Sequence, residues 1–490
     1  MSRFLRSWLE TALTLDPRGL AFFRIFLGGL ICLRLLLLLP HLPLTLGPEG
    51  VAPQAAVIAQ YGEPPLPLSL YFQPDSMAGV YGVVALHLVV AAAFMVGWRT
   101  RVMTVLLWLL LLSLNVRNPW IINSGDRLAG FLLLWGMFLP LGQVFSLDAR
   151  RGRGTPRTEA GRSLAFFGAA CLVFQLVIVY RLTGYAKSDP VWLNYHVALQ
   201  NALSHEAYPF PPGRWLLEWP GVMKGLTIAT IYLEIYAILL LLSPWRSAVC
   251  RTAVSLLYIG FHIGIGLTLN VGLFSWISVA AWFAMLPPAF YDRVFGFLSR
   301  GTAFPRFPLP LQEQTVPKMV LLAILIQATT VVSTRSGWSY RGVAKRTFHF
   351  VGLRQNWKMF APRPYSSTSW YAVVATNRDG WECRIYPDRE TAFHPPGDDK
   401  PTPEIVTFYF RKLFEKLDTR KNKARLAAIS EGFARQWLPA ELQDETAALK
   451  LVVWQKEFYP TVAPDFEPGR VFFELARTPV GGEERVVGKR

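Results

Sequence analysis

The side chains best able to do chemistry in this 490-residue chain lie where their types are costly to place. Lys187 follows Tyr180-Arg181-Leu182-Thr183-Gly184-Tyr185-Ala186 at the end of one apolar run, Glu234 lies within a second, and His262 within a third. A carboxylate in such a run must be protonated, paired or hydrated. A lysine is a poor base in water, with a pKa of about 10.4, but partial burial beside Arg181 disfavours its charged form and lets it accept a proton near neutral pH. Structural roles remain open for all three. Lys187 can snorkel to the headgroups, Glu234 can pair with an arginine, and His262 can make an interhelical hydrogen bond.

A second group lies in Val116-Arg-Asn-Pro-Trp-Ile-Ile-Asn-Ser-Gly-Asp126, a tight polar loop between two apolar runs. Asn118-Pro119 and Ser124-Gly125 supply its turns. Asn123, Asp126 and the adjoining Arg127 are expected to face the same vestibule as Lys187, the alternative being a plain connector. Arg24, Arg34 and His87 complete the ionisable residues inside apolar runs. Each is a candidate for function because a charge at mid-bilayer is disfavoured by about 2.5–3.5 kcal/mol on insertion scales.

The elements that must position these groups are membrane helices. Hydrophobic residues make up 52% of the chain and charged residues 17%, well short of the roughly 25% charged residues of soluble domains. The net charge of +17 comes from small arginine clusters between apolar runs, without the aromatic interleaving of a nucleic-acid platform, so no nucleic-acid partner is expected. Membrane lipid is the expected surrounding. Four scattered cysteines form neither a disulfide framework nor a metal-ligand spacing, and no metal is expected.

A span needs roughly 20 apolar residues. Candidates lie near 20–40, 78–97, 102–116, 128–147, 164–183, 225–243, 249–269, 271–288 and 317–334, so the fold class is an α-helical polytopic membrane bundle of about eight or nine spans. The last pair but one, joined by Asn270 to Gly272, is alternatively a broken hairpin. Every second loop is basic, as in Arg99 with Arg101 and Arg150, Arg151, Arg153, Arg157 and Arg162. Short basic loops stay cytoplasmic, which predicts a cytoplasmic N-terminus and a periplasmic or lumenal C-terminal part, most simply in a bacterial inner membrane.

The division predicted is a transmembrane domain over 1–334, an interfacial connecting segment over 335–369 and a small α+β extramembrane domain over 370–490. Trp370 to Thr376, Asn377-Arg378-Asp379-Gly380 and Trp381 to Tyr386 read as a β-hairpin. Helices are expected at 404–417 and 422–437, a loop at Pro395 to Pro403, and strands at 448–456 and 470–476. This domain has no matched acid–base set and reads as accessory. Leu353 to Pro364 mixes aromatic and basic residues like a membrane-surface anchor.

Two of these segments carry a family resemblance. Phe261-His262, ending in Gly272-Leu273-Phe274-Ser275-Trp276, and Gly184-Tyr185-Ala186-Lys187-Ser188-Asp189-Pro190-Val191-Trp192 resemble the HTTM family, whose relatives include the vitamin K-dependent gamma-carboxylase. Gln355-Asn356-Trp357-Lys358-Met359-Phe360-Ala361-Pro362 is similar to a segment of bacterial HTTM proteins, and the resemblance covers roughly residues 15 to 375. It implies that Lys187 is a base, with Glu234 and His262 completing the catalytic set. Arg181, Asn123, Asp126, Arg127, Trp192 and Asn270 would line the substrate or cofactor pocket. It further implies a vitamin K-type hydroquinone used with oxygen and carbon dioxide, and a protein or peptide substrate. One departure stands out: Asn123-Ser124-Gly125-Asp126 lacks the histidine that the carboxylase has there. A membrane-embedded quinone- or lipid-using modification enzyme is therefore one reading. A non-enzymatic factor for maturation or export of a secreted peptide, or a lipid-binding scaffold, is the other.

Overall fold

The computed structural model describes residues 3–61, 70–155, 158–205, 208–295, 315–335, 352–353, 355–364, 367–396, 423–457 and 466–476. Its elements are α1 (Arg3–Leu13), α2 (Pro17–Leu38), α3 (Met77–Val96), α4 (Thr100–Arg117), α5 (Ser124–Gly136), α6 (Glu159–Ala186), α7 (Pro220–Ile235), α8 (Ser247–Thr268), α9 (Phe274–Phe283), α10 (Pro288–Phe295) and α11 (Thr315–Arg335). These are followed by β1 (Ser367–Asn377), β2 (Glu382–Tyr386), α12 (Lys423–Trp437), β3 (Thr446–Glu457) and β4 (Phe466–Ala476).

The long apolar runs become helices because a helix alone satisfies its own backbone in hydrocarbon. Among the described residues seven helical stretches are long and apolar enough to cross a membrane, or eight if α9 and α10, bent by 89° at their junction, make one span. Nine are not reached among the described residues. The expected span at 128–147 is the thirteen-residue α5, too short for about 30 Å of hydrocarbon. The chain then turns back, and Arg24 satisfies the exposed carbonyls: it donates to Leu141 O at 2.6 Å, to Met95 O at 3.2 Å and to Phe145 O. An arginine inside the first span thus serves irregular backbone at the bundle end.

Asp16 starts α2 by accepting from the Arg18 backbone N–H at 2.8 Å, with Pro17 in the first turn where its missing N–H does no harm. One apolar core runs through α2 to α9, α11 and Trp357.

The C-terminal sheet is antiparallel in the order β2-β1-β3-β4. The predicted hairpin is present: Asn377 Oδ1 accepts from the Asp379 and Trp381 N–H groups, and Gly380 takes the left-handed φ of +84° that the turn requires. The helix at 404–417 lies outside the described residues, as do most of the 395–403 loop and of the 335–369 connection. Cys383 is buried in the sheet core, where desolvation, with a smaller contribution from Glu390, pushes its thiol up to about 11. That makes it a small hydrophobe rather than a nucleophile.

In one respect the domain is more than an appendage. Its core, with Ile385, Ile429 and Phe433, is continuous with Leu44, Val51 and Trp120 from the transmembrane part. The helices meet the loop at Gly432, where a Cβ would come within 2.6 Å of the Val51 backbone. Gly432→Leu is expected to lift α12 off this loop, destabilising the docked form by about 1–3 kcal/mol. Limited proteolysis should then cut between the two parts; an unchanged cleavage pattern would show that the contact is dispensable.

Candidate functional site

Helix α6 ends at Ala186, and Lys187 caps it with its N–H on Gly184 O at 3.1 Å. Gly184 is required here because a Cβ would meet Ile235 Cγ1 at 2.6 Å and Glu234 Cβ at 3.1 Å. Its absence brings α6 and α7 together. Lys187 Nζ then lies 2.6 Å from Glu234 Oε2, with the two residues 3% and 5% exposed. A cation at the C-terminal end of a helix also suits the helix dipole.

The rest of the motif has physical roles too. Asp189 caps the short turn Pro190–Leu193 by accepting from the Val191 N–H at 3.0 Å, which sets Trp192 under Lys187, with Nζ 5.0 Å from its ring centroid. Trp192 Nε1 donates to Phe360 O at 3.0 Å. The segment bearing Phe360 is therefore a strap over the site, and its anchor is buried. Gln355 and Gln175 exchange side-chain hydrogen bonds at 2.9 and 3.0 Å, Gln355 also donates to Gln327 Oε1 at 3.1 Å, and Trp357 donates to Gln355 Oε1 at 2.5 Å. This corrects the expectation of a membrane-surface anchor at 353–364: Gln355 and Trp357 are buried in the bundle, where paired amides satisfy one another.

Glu234 sits where α7 gives way to the 3-10 turn Ala237–Leu242. The change of winding leaves carbonyls without helical partners. Tyr258 O–H donates to Leu233 O at 2.7 Å and Arg181 Nη1 to Ile235 O at 2.5 Å.

His262, also buried, shares a 2.5 Å hydrogen bond between Nε2 and Tyr180 O–H, and Trp282 Nε1 donates to the same oxygen at 2.8 Å. Tyr258 stacks on Trp282 with centroids 4.3 Å apart. Tyr258 ties this cluster to the ion pair through its hydrogen bond to Leu233 O, next to Glu234. The arrangement runs from Lys187 to Glu234, across the tyrosines, to His262, whose Nδ1 has no hydrogen-bond partner among the described residues.

The other expected pocket residues make contacts of their own. Asn123 and Asp126 form a capping box on α5: Asn123 Oδ1 accepts from the Gly125 N–H at 2.7 Å, and Asp126 Oδ2 accepts from the Asn123 N–H at 3.1 Å. Asp126 Oδ1 takes the buried Arg34 Nε at 2.5 Å. Their hydrogen bonds join them to each other, to the adjoining turn and to Arg34 of α2. Asp126 and Arg127 line a cavity of about 90 Å³, with Trp108, Asn115, Phe131 and Leu353. Asn270 donates its N–H to Tyr208 O at 2.7 Å and ties down the loop after α8. Arg181 faces outward, stacked on Tyr185.

Tyr180, Tyr258 and Trp282 are the residues that sequence reasoning missed. Tyr258 and His262 are four apart on α8 and so share a face, a signal that was available. For Trp282 there was none, since an aromatic in an apolar run reads as lipid-facing or core.

Fold and site together define a polytopic α-helical membrane protein with a buried lysine–glutamate pair beside a tyrosine–histidine hydrogen bond. The chain belongs to the HTTM family, whose profile matches residues 14–289; HTTM is the transmembrane domain of vitamin K-dependent gamma-carboxylase-like proteins. The match includes Lys187, Glu234 and His262 and stops before the strap. No curated protein and no solved structure matches the chain.

Proposed function

We propose that this protein is a membrane-embedded modification enzyme of the gamma-carboxylase-like type, with Lys187 and Glu234 as its acid–base centre, acting with a lipid-soluble quinol on a protein or peptide. The Nζ–Oε2 contact of 2.6 Å between two buried side chains carries this reading. Desolvation offsets most of the attraction in such a pair, so it is a weak device for stability, and perturbed titratable groups gather at functional sites.

The surrounding groups fit a quinone-type ring. Trp192 offers flat aromatic surface beside the pair, and Lys187 Nζ and the unpartnered His262 Nδ1 are the polar groups that would hold its oxygens. When bound, a vitamin K-type hydroquinone would supply, with oxygen, a base strong enough to remove an unactivated glutamyl proton so that carbon dioxide can add. Lys187 can pass a proton from Nζ to Glu234 Oε2, since in a dry site the ionised and neutral forms of such a pair lie closer in energy than in water. The amine lone pair is then free to take up another proton while Glu234 holds the first. Tyr180 and His262 share a second proton across 2.5 Å. The strap through Phe360 helps exclude water from these groups. In this reading the N-terminus is cytoplasmic and the C-terminal domain lies outside a bacterial inner membrane, an orientation that the alternation of basic loops supports.

The test uses full-length protein in vesicles, supplied with a naphthohydroquinone, oxygen and carbonate, and follows loss of the hydroquinone. Lys187→Ala is expected to lower the rate by about 10²–10⁴-fold, the usual contribution of a general base. Lys187→Gln, which keeps a hydrogen bond to Glu234, should fall equally far. Lys187→Arg should not rescue, because guanidinium stays charged. No turnover by the unaltered protein, or an undiminished rate in a folded Lys187→Ala variant, would leave a maturation factor or lipid-binding scaffold as the better reading.

A further inference from the structure

The lipid-facing side of the α6–α7 contact carries polar groups that the site above does not use. Their depth can be read from tryptophans on the same stretch of chain. Trp215 and Trp219, 57% and 51% exposed, precede α7, and Trp245, 68% exposed, follows the 3-10 turn. Exposed tryptophans mark the two water boundaries of a bilayer. Tyr232 lies well along α7, about 18 Å from Pro220 at 1.5 Å per residue, so it and Tyr236 sit near mid-depth.

Both face outward all the same, 61% and 59% exposed, with ring centroids 5.7 Å apart. Neither hydroxyl has a hydrogen-bond partner among the described residues. On α6, Tyr185 is also exposed and accepts a hydrogen bond from Arg181, whose other nitrogen is held by Ile235 O at 2.5 Å. Tyrosines belong at the membrane boundary, and a hydroxyl facing hydrocarbon without a partner is unfavourable. Three tyrosines and an arginine at this depth, beside the helix contact that holds Glu234, need a ligand to explain them.

We propose that this face docks a lipid-dissolved quinone ring, which reaches Lys187 in its reduced quinol form, its two ring oxygens accepting from Tyr232 and Tyr236 and its ring lying against Tyr185. Depth selects the ligand class. A phospholipid headgroup stays at the water boundary, whereas a neutral ring with carbonyl oxygens can lie in the hydrocarbon. Glu234 is on the buried side of the same helical turn, so the docking face and the acid–base pair are separated only by the α6–α7 contact at Gly184. The inference rests on the quinone-using reading of the site.

The experiment places full-length protein in phosphatidylcholine vesicles with a naphthoquinone carrying a photoreactive alkyl tail, and maps the labelled peptides after illumination. Label is expected on 181–187 and 232–236, and an unlabelled naphthoquinone should compete it away. A Tyr232→Leu/Tyr236→Leu variant removes two hydrogen bonds while making the lipid face more apolar, so it should fold and lose label about tenfold. Label spread evenly over other lipid-facing residues such as Leu239 and Leu240, or undiminished in the double variant, would overturn the docking face. Lys187→Ala separates the two claims. Label that persists at the tyrosines in Lys187→Ala supports the docking face whatever the fate of turnover, whereas turnover that needs Lys187 with no label at the tyrosines keeps the proposed function and removes this face.

Discussion

Glu234→Leu alone is expected to destabilise the folded protein by about 3–5 kcal/mol, while Lys187→Met/Glu234→Leu together should recover most of that loss. The reason is an unpaired charge. With Glu234 gone, the buried Lys187 must be neutralised, which at pH 7 requires about 1.36 kcal/mol for each pH unit below its ordinary value of about 10.4. The deficit of the single variant should therefore shrink as pH rises toward 10 and grow as pH falls, levelling off only below the pH at which the buried lysine itself takes up a proton. The double variant carries no such charge and should show no pH-dependent deficit. Denaturant unfolding in detergent across this range checks both. Equal stability of single and double variants would mean that the pair is hydrated rather than dry, and would remove the basis for proton exchange inside it.

Asp126→Ala should be nearly as damaging, by about 3–5 kcal/mol, because it removes the carboxylate paired with the buried Arg34 and breaks the capping box of α5. Asn123→Ala removes the cap and one neutral donor to Asp126 Oδ2 but leaves the Arg34–Asp126 pair, and should reach only about 1–2 kcal/mol. The ratio distinguishes a structural role from a catalytic one. If Asp126 acted on substrate, its replacement would lower turnover in protein that still folds, and thermal unfolding of the purified variants would show no difference between the two.

The site was partly legible for a physical reason that applies residue by residue. Lys187 and Glu234 stood out because ionisable groups in apolar runs need partners, and their inward orientation follows from the same cost. Their direct pairing did not follow, since it depends on Gly184 admitting α7 to within van der Waals contact. The partner of Asp126 was not legible for a similar reason. A carboxylate near the first turn of a helix can cap it or serve a pocket, and the spacing Asn123-Ser124-Gly125-Asp126 is compatible with both; the position of Arg34 set its partner.

Composition and hydropathy by themselves determined that the chain is a helical membrane bundle, because backbone in hydrocarbon has so few alternatives. They also determined the C-terminal hairpin, through Asn377 and Gly380, whose conformations are local. Packing decided the remainder. It shortened the span expected at 128–147 to α5, buried Gln355 among Gln175 and Gln327, and joined Tyr180 to His262 across α6 and α8. Each of these is a contact between side chains distant in sequence, and no local propensity or periodicity records which amide, hydroxyl or carboxylate another segment will bring within reach. What polar groups a membrane chain must satisfy is written in its sequence; which partner satisfies each one is settled only when the helices meet.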